Sequence, residues 1–210
     1  MPVPPKPFYM IRHGQTEANA SKYMAGSLDS PLTELGIQQA DIARLQVEAL
    51  TVKPKVIIHS HLSRARDTAS IINQNLKLDM IEDPDYAEMH AGDWEGAPWA
   101  DCVEMFDGWI DPPNGEKSQD FINRVKRAKN RALSLKDTPA LIVCHGGVFR
   151  AFGKLYNLEM WGVENCRLHR FTPDRTNVSF PWTAHSFHME DILREQLSEV
   201  FHPHKPEVTD

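Results

Sequence analysis

The chain has 210 residues, a formal net charge of −6, 41% hydrophobic and 25% charged residues. That is the balance of a globular protein with a sizeable core, and it argues against a nucleic-acid binder, which carries a basic face. It does not argue against a small anionic ligand, because a local pocket can be basic on an acidic protein.

In chain order, Phe8 to Arg12 is short and apolar and predicts a buried strand. Ser21 to Asp29 reads as loop. Thr33 is the expected cap of a helix whose apolar residues Ile37, Ala40, Ile42 and Leu45 recur at helical spacing, and Lys53-Pro54 ends it. Val56 to Ile58 predicts a second buried strand. Ser60 is the expected cap of the next helix, with Leu62, Ala65, Ala69 and Ile72 inward. The stretch from Pro84 to Gly115, rich in Gly, Pro, Asp and Trp, predicts a loop-rich insertion with a short helix near Pro98 to Phe106 and a turn at Asn114-Gly115. A helix follows from Ser118 through Phe121, Val125, Ala128 and Leu133. Ala140 to Cys144 predicts a third buried strand, Gly147 to Leu155 a helix, Cys166 to Phe171 a fourth strand, and Asp174 to Asn177 a turn. Beyond Pro181 the chain reads as polar and His-rich, with a polar tail at about 190–210 whose last residues, His202 to Asp210, are expected to be disordered. Alternating strands and helices imply an α/β three-layer sandwich with a mostly parallel central sheet flanked by helices. With no internal repeat, one domain over 1–210 is expected, its insertion at about 84–117 forming a cap.

Cys102, Cys144 and Cys166 form no disulfide framework, and no Cys/His spacing suggests zinc. No signal peptide or apolar run of membrane-spanning length is visible, so a cytoplasmic protein without membrane partners is expected.

Three strand ends stand out. The first runs into Arg12-His13-Gly14, the second is followed by His61 and Arg64-Ala65-Arg66, and the third ends at His145-Gly146-Gly147. Ligands of open α/β sheets bind beyond the carboxyl ends of the strands. Three such ends could bring His and Arg to one place and make a receptor for a dianion, phosphate being the usual one. Helices starting near Ser60 and after Gly147 would aim N–H groups at the same spot. Gly14 and Gly146 would let the backbone approach a ligand.

These residues resemble the histidine phosphatase superfamily, also called phosphoglycerate mutase-like. Arg12-His13-Gly14-Gln15-Thr16 with Asn19 is similar to its RHG-x-T signature. Gly26, Asp29, Pro31-Leu32-Thr33, Gly36 and Gln39-Ala40 resemble a second block. Ser60, Leu62, Arg64-Ala65 and Thr68-Ala69 resemble a third, and His145-Gly146-Gly147 a fourth. Glu88, ahead of Gly92-Asp93-Trp94-Glu95-Gly96, falls where the family keeps an acid. Pro113 to Glu116 with Asp120 and Arg124-Val125 resembles a further stretch.

The resemblance implies roles. His13 would be the nucleophile, passing through a phosphohistidine, with a backbone carbonyl fixing its tautomer. Arg12, Arg64 and His145 would hold the phosphoryl oxygens, and Glu88 would be the general acid and base. Gln15, Asn19, Gly26 and Gly146 would complete the binding of a small phosphorylated substrate, and phosphate or sulfate would fit the same pocket. No metal and no cofactor is implied. Arg66 is expected to be a helix-surface charge, and His61, where the family has proline, an extra imidazole near the pocket mouth. Mutases of the family carry a run resembling E-R-H-Y-G after the acid. Here it is Glu88-Met89-His90-Ala91-Gly92, which points to the phosphatase branch; the alternatives are a phosphoglycerate mutase-type isomerase and a non-catalytic phospho-ligand binder. Trp94, Trp99, Trp109 and Trp161 are expected to pack in core or cap rather than to wall the substrate. His185, His188, His202 and His204 are read as surface or tail, and the basic run Arg124 to Arg131 as a solubilising face. Substrate-facing residues are expected within Tyr86 to Phe106 and Ser21 to Ser30. An exposed edge strand could pair two copies into a homodimer.

Overall fold

The computed structural model describes residues 4–158, 160, 162–174, 176–189, 191 and 194–198. The strands are β1 (Phe8–Arg12), β2 (Val56–His59), β3 (Asp79–Glu82), β4 (Ala140–Cys144), β5 (Leu168–Pro173), β6 (Trp182–Phe187) and β7 (Glu195–Leu197). They form one sheet in the order β3-β2-β4-β1-β5-β6-β7. Pairing is parallel from β3 through β1 and antiparallel from β1 to β7. The helices are α1 (Glu17–Ser21), α2 (Glu34–Ala49), α3 (Ser63–Ile72), α4 (Trp99–Asp107), α5 (Ser118–Ser134) and α6 (Gly146–Lys154).

Central parallel strands are covered on both faces, which is why β1, β2 and β4 read as continuous apolar runs. Successive side chains alternate between two cores. Phe8, Met10, Ile58 and Ile142 face α5 and α6 through Phe121, Val125, Phe149 and Phe152. Tyr9, Ile11, Ile57 and Leu141 face α2 and α3 through Ala40, Val47, Ala65 and Ile72. The three layers are those expected. A third, small core of Met24, Ala91, Trp94 and Cys102 sits in the insertion, where 3-10 turns at Pro84–Tyr86 and Gly92–Trp94 precede α4.

Several local readings need correction. The buried stripe of α2 is Gly36, Ala40, Ala43, Gln46 and Val47, while Ile37 and Leu45 stay exposed. Small residues win at its start because α2 lies close to the loop that leaves β1: a Cβ on Gly36 would run into the Gln15 carbonyl, with the Gln15 amide nitrogen at 2.9 Å. Ser60 does not cap α3. Its Oγ accepts from Leu62 N, and the helix starts at Ser63 behind the cap residue Leu62. The strand β3 escaped the sequence because three of its four residues are exposed at the sheet edge. The stretch after Pro181 is not simply polar, since β6 alternates buried Trp182, Ala184 and Ser186 with half-buried Thr183 and His185. Trp182 joins an aromatic cluster with Phe8, Phe152 and Phe180 and donates its indole N–H to Lys6 O at 2.9 Å. His185 is therefore a strand residue, not tail, and β7 places Glu195–Leu197 in the sheet as well. Trp161, Arg175, His202, His204 and most of the expected tail lie outside the described residues. Among the described residues no helix is long and apolar enough to cross a membrane.

Candidate active site

Strands β2, β4 and β1 are neighbours, and their carboxyl ends open on one cavity of about 490 Å³. Arg12, His13, Asn19, Gly26, Arg64, Glu88 and Gly146 line it. The sequence-predicted residues thus converge, with two exceptions. His145 is fully buried beneath the lining rather than in it. Gln15 turns away: its Oε1 accepts from Thr33 Oγ1 at 2.9 Å, and its backbone N–H donates to Gln39 at 2.8 Å.

His13 is 4% exposed. Its Nδ1 lies 2.8 Å from Gly14 O, and a carbonyl can only accept, so Nδ1 carries the proton and Nε2 keeps a lone pair. Burial, then the nearby Arg12 and Arg64 charges, hold its pKa well below the usual histidine range, so the ring stays neutral. His145 has the opposite tautomer. Arg64 Nε donates to its Nδ1 at 3.2 Å, which puts the proton on Nε2. That Nε2 is buried without a partner, as is Nε of Arg12. Burial, followed by Arg64 and His13, keeps this ring neutral too. The two rings stand 5.1 Å apart between centroids.

Arg64 is 2% exposed. It donates to Gly26 O and Leu28 O, both at 2.8 Å, and to His145, which uses three of its five N–H groups. Arg12 donates to Val163 O at 2.7 Å. Burial lowers the pKa of both guanidinium groups, yet each keeps its charge at neutral pH. Gly26 has φ +53° and no room for a Cβ beside Ala91, which suits the tight turn that presents its carbonyl to Arg64. Glu95 ties that turn to the insertion, accepting from Ser27 N at 2.7 Å and Ala91 N at 3.0 Å.

Glu88 accepts from Gly147 N at 3.0 Å, so the first turn of α6 holds a carboxylate at the cavity wall. Gly147 is where a side chain cannot fit, because a Cβ there would meet Glu88 Cδ at 3.0 Å and crowd Oε1 more closely still. Gly146 has ordinary room, with Arg12 at 3.7 Å. Gly14 packs against the backbone of Gly36 rather than a ligand. The start of α3 is not free either, since Ser63 N–H donates to Asp29 at 3.0 Å.

Sequence reasoning missed two residues. Asn165 lines the cavity and donates Nδ2–H to His13 O at 2.8 Å and Asn19 Oδ1 at 3.3 Å. No motif announced it. Arg124 belongs to no solubilising surface: it donates to Asp85 O, Ala87 O and Glu88 O and grips Glu116 with two nitrogens at 2.7 and 2.8 Å. Its register was a usable signal, because position 124 adjoins the buried 121, 125 and 128. Trp99 lines the cavity, contrary to expectation, whereas Trp94 sits in the small core with Met24, Ala91 and Cys102 and Trp109 packs near Phe121. His61 is exposed and does not line the cavity, and Arg66 pairs with Asp67 on the α3 surface. Residues 22–26 together with Trp99, Val103 and Phe106 fall in the two stretches expected to face substrate. Among the described residues, no group of three or more His, Cys, Asp or Glu is placed to hold a metal ion.

The model of the histidine phosphatase superfamily, branch 1, matches residues 8–181. The chain belongs to this superfamily. Relatives include a Proteus mirabilis protein named as a probable phosphoglycerate mutase, 30% identical over 211 residues, covering 90% of this chain and 97% of that one. A glucosyl-3-phosphoglycerate phosphatase of Mycolicibacterium vanbaalenii is 34% identical over 159 residues, covering 68% and 70%. The mycobacterial glucosyl-3-phosphoglycerate phosphatase solved with VO3 aligns at a TM-score of 0.74 and 27% identity over 86% of this chain and 97% of that one; the same enzyme solved with inorganic phosphate aligns at 0.71 and 26%, over 86% and 95%. Relatives and structural neighbours of this histidine phosphatase thus include phosphatases of the family and mutase-like proteins.

Proposed function

We propose that this histidine phosphatase hydrolyses small phosphomonoesters through a phosphohistidine on His13. The observation that carries the reading is the tautomer of His13: the Gly14 carbonyl ties up Nδ1–H and leaves Nε2 as a neutral lone pair among two arginines. Nε2 attacks phosphorus and the ester P–O bond breaks. Glu88 gives its proton to the departing oxygen. Water then attacks phosphorus, Glu88 takes a proton from it, the P–N bond breaks and phosphate leaves. Arg12 and Arg64 supply positive charge to the phosphoryl oxygens, and the neutral His145, whose Nε2–H has no partner, would offer them a hydrogen bond from below. Those groups do the work a metal ion does in other phosphoryl-transfer sites, so the reaction should need none. Asn19, already held through its carbonyl oxygen by Thr16 N and Asn165, would offer its NH₂ group to the ligand. The phosphate complex of the mycobacterial relative supports an anion in this pocket.

The test is release of phosphate from p-nitrophenyl phosphate in EDTA by wild type and His13→Ala, with an acid-quench search for acid-labile labelled phosphate on the protein. Turnover that survives EDTA, and that vanishes with the label in the variant, supports the reading. No release from any ester, with isomerisation of 3-phosphoglycerate instead, would make the protein a mutase. Phosphate binding with neither reaction would make it a binding module.

A further inference from the structure

The cavity has two unlike halves. Its floor is Arg12, His13, Arg64 and Glu88, and one wall is the cap helix α4. Trp99, Val103 and Phe106 all line the cavity, and their spacing of four and three residues puts them on one face of α4. The neighbouring Cys102 is 2% exposed and belongs to the small core of the insertion, against which Phe106 also packs, so that core backs the wall. Trp99 and Phe106 meet edge to face at 5.6 Å, which stiffens the wall. Met24, Met160 and Val163 extend the apolar lining. Trp99 is nevertheless 38% exposed, a large apolar side chain left at a cavity for a ligand to cover.

The one arginine at this wall is already committed. Arg150 pairs with Asp107 at 2.8 Å, donates to Phe106 O at 3.2 Å and lies over the Phe106 and Trp109 rings at 4.6 and 5.4 Å. It is a strut between α6 and α4, its charge balanced by Asp107, and not a ready receptor for a second anion. Lys22, exposed at the cavity rim, is the cation that a substrate carboxylate could reach instead.

Resting on the phosphatase reading of the floor, we propose that the preferred substrates are phosphomonoesters with an apolar, preferably aromatic, alcohol portion that lies against Trp99, Val103 and Phe106, rather than phosphorylated sugar acids. Aryl phosphates are poor probes of this, since their leaving groups are intrinsically better. Non-hydrolysable phosphonates separate binding from chemistry. Benzylphosphonate should bind at least about tenfold more tightly than methylphosphonate by calorimetry, which is the effect of only one or two methylenes' worth of apolar contact. In Trp99→Ala and in Val103→Asn that ratio should fall below about threefold, with methylphosphonate affinity unchanged. Lys22→Ala should leave the ratio as it is. Among esters of comparable leaving groups, 2-phenylethyl phosphate should exceed glycerol 3-phosphate and 3-phosphoglycerate in kcat/KM. A wild-type ratio near one, a ratio that persists in both wall variants, or a preference for 3-phosphoglycerate that Lys22→Ala abolishes overturns the inference. p-Nitrophenyl phosphate turnover by the same preparation tests the phosphatase reading independently, so the two can fail separately.

Discussion

Gly147→Ala is the sharpest test of how the acid is held. The position is helical and buried, and its φ is not in the left-handed region, so alanine suits the backbone and even favours the helix slightly. The conflict is with one side chain. The new Cβ would stand 3.0 Å from Glu88 Cδ and 3.3 Å from Oε2, where carbon atoms normally keep about 3.5–4.0 Å apart. Oε1 would be overlapped outright, so the carboxylate must swing aside by at least about 1 Å, and the 3.0 Å bond from Gly147 N–H is lost or stretched. A displacement of that size at a reacting group costs about 100-fold in rate, within the range of general acid catalysis. Glycerol 3-phosphate turnover should therefore drop about 100-fold in kcat. p-Nitrophenyl phosphate, whose leaving group needs little protonation, should suffer much less, and phosphate should inhibit as before. Thermal unfolding should move by no more than a few degrees. If kcat for glycerol 3-phosphate stayed within threefold of wild type, Glu88 would not be the acid. If both esters fell equally, the damage would be to the phosphate floor instead.

Other expectations follow from the same contacts. Asn165→Ala removes the donor to His13 O and Asn19 Oδ1, so kcat/KM should fall about tenfold with little change in melting temperature. Arg124→Met leaves three carbonyls of the Glu88 segment and the half-buried Glu116 without their cation; urea titration should show a loss of about 3 kcal/mol together with most of the activity. The neutral buried imidazoles make stability acid-sensitive. His13 and His145 have folded pKa values well below 6.5, and burial pushes His169 down to about 3. The unfolded chain takes up protons that the native state refuses, so stability is complete above about pH 6.5 and is lost as pH falls toward 3. His169 alone should cost about 2 kcal/mol by pH 5, read from urea midpoints, and His169→Gln should remove that share of the slope.

The chemistry was more legible than the packing around it. The strand ends showed in the sequence because β1, β2 and β4 are buried on both faces, and a run of apolar residues that stops at Arg12-His13 or His145 leaves few alternatives. The strand β6 stayed hidden because its inward side chains include Ser186 and its outward ones include His185, so no clean alternation of polarity survives. Helix α2 misled for the converse reason. Its inward face is Gly36, Ala40 and Ala43, and its most hydrophobic residues point outward, so hydrophobicity pointed to the wrong face where close approach mattered more. Gln15 was misplaced because adjacency to His13 in the chain does not say which way a side chain turns after the strand ends.

Arg64 has one more consequence. Its hydrogen-bond acceptors are two carbonyls and a neutral ring, so carboxylates such as Glu88 and Asp29 offset this desolvated cation only from a distance, and an oxyanion in the cavity would pair with it directly. An oxyanion that does so binds the folded chain and not the unfolded one, and at 100 times its dissociation constant raises stability by about 2.7 kcal/mol. Heat resistance then becomes a reporter of occupancy that needs no turnover. A melting curve in phosphate buffer should sit several degrees above one in a buffer without oxyanions. A library of phosphonates could be ranked by that displacement even for a protein whose reacting histidine has been removed, and enzyme prepared in phosphate would be sturdier and partly inhibited at once.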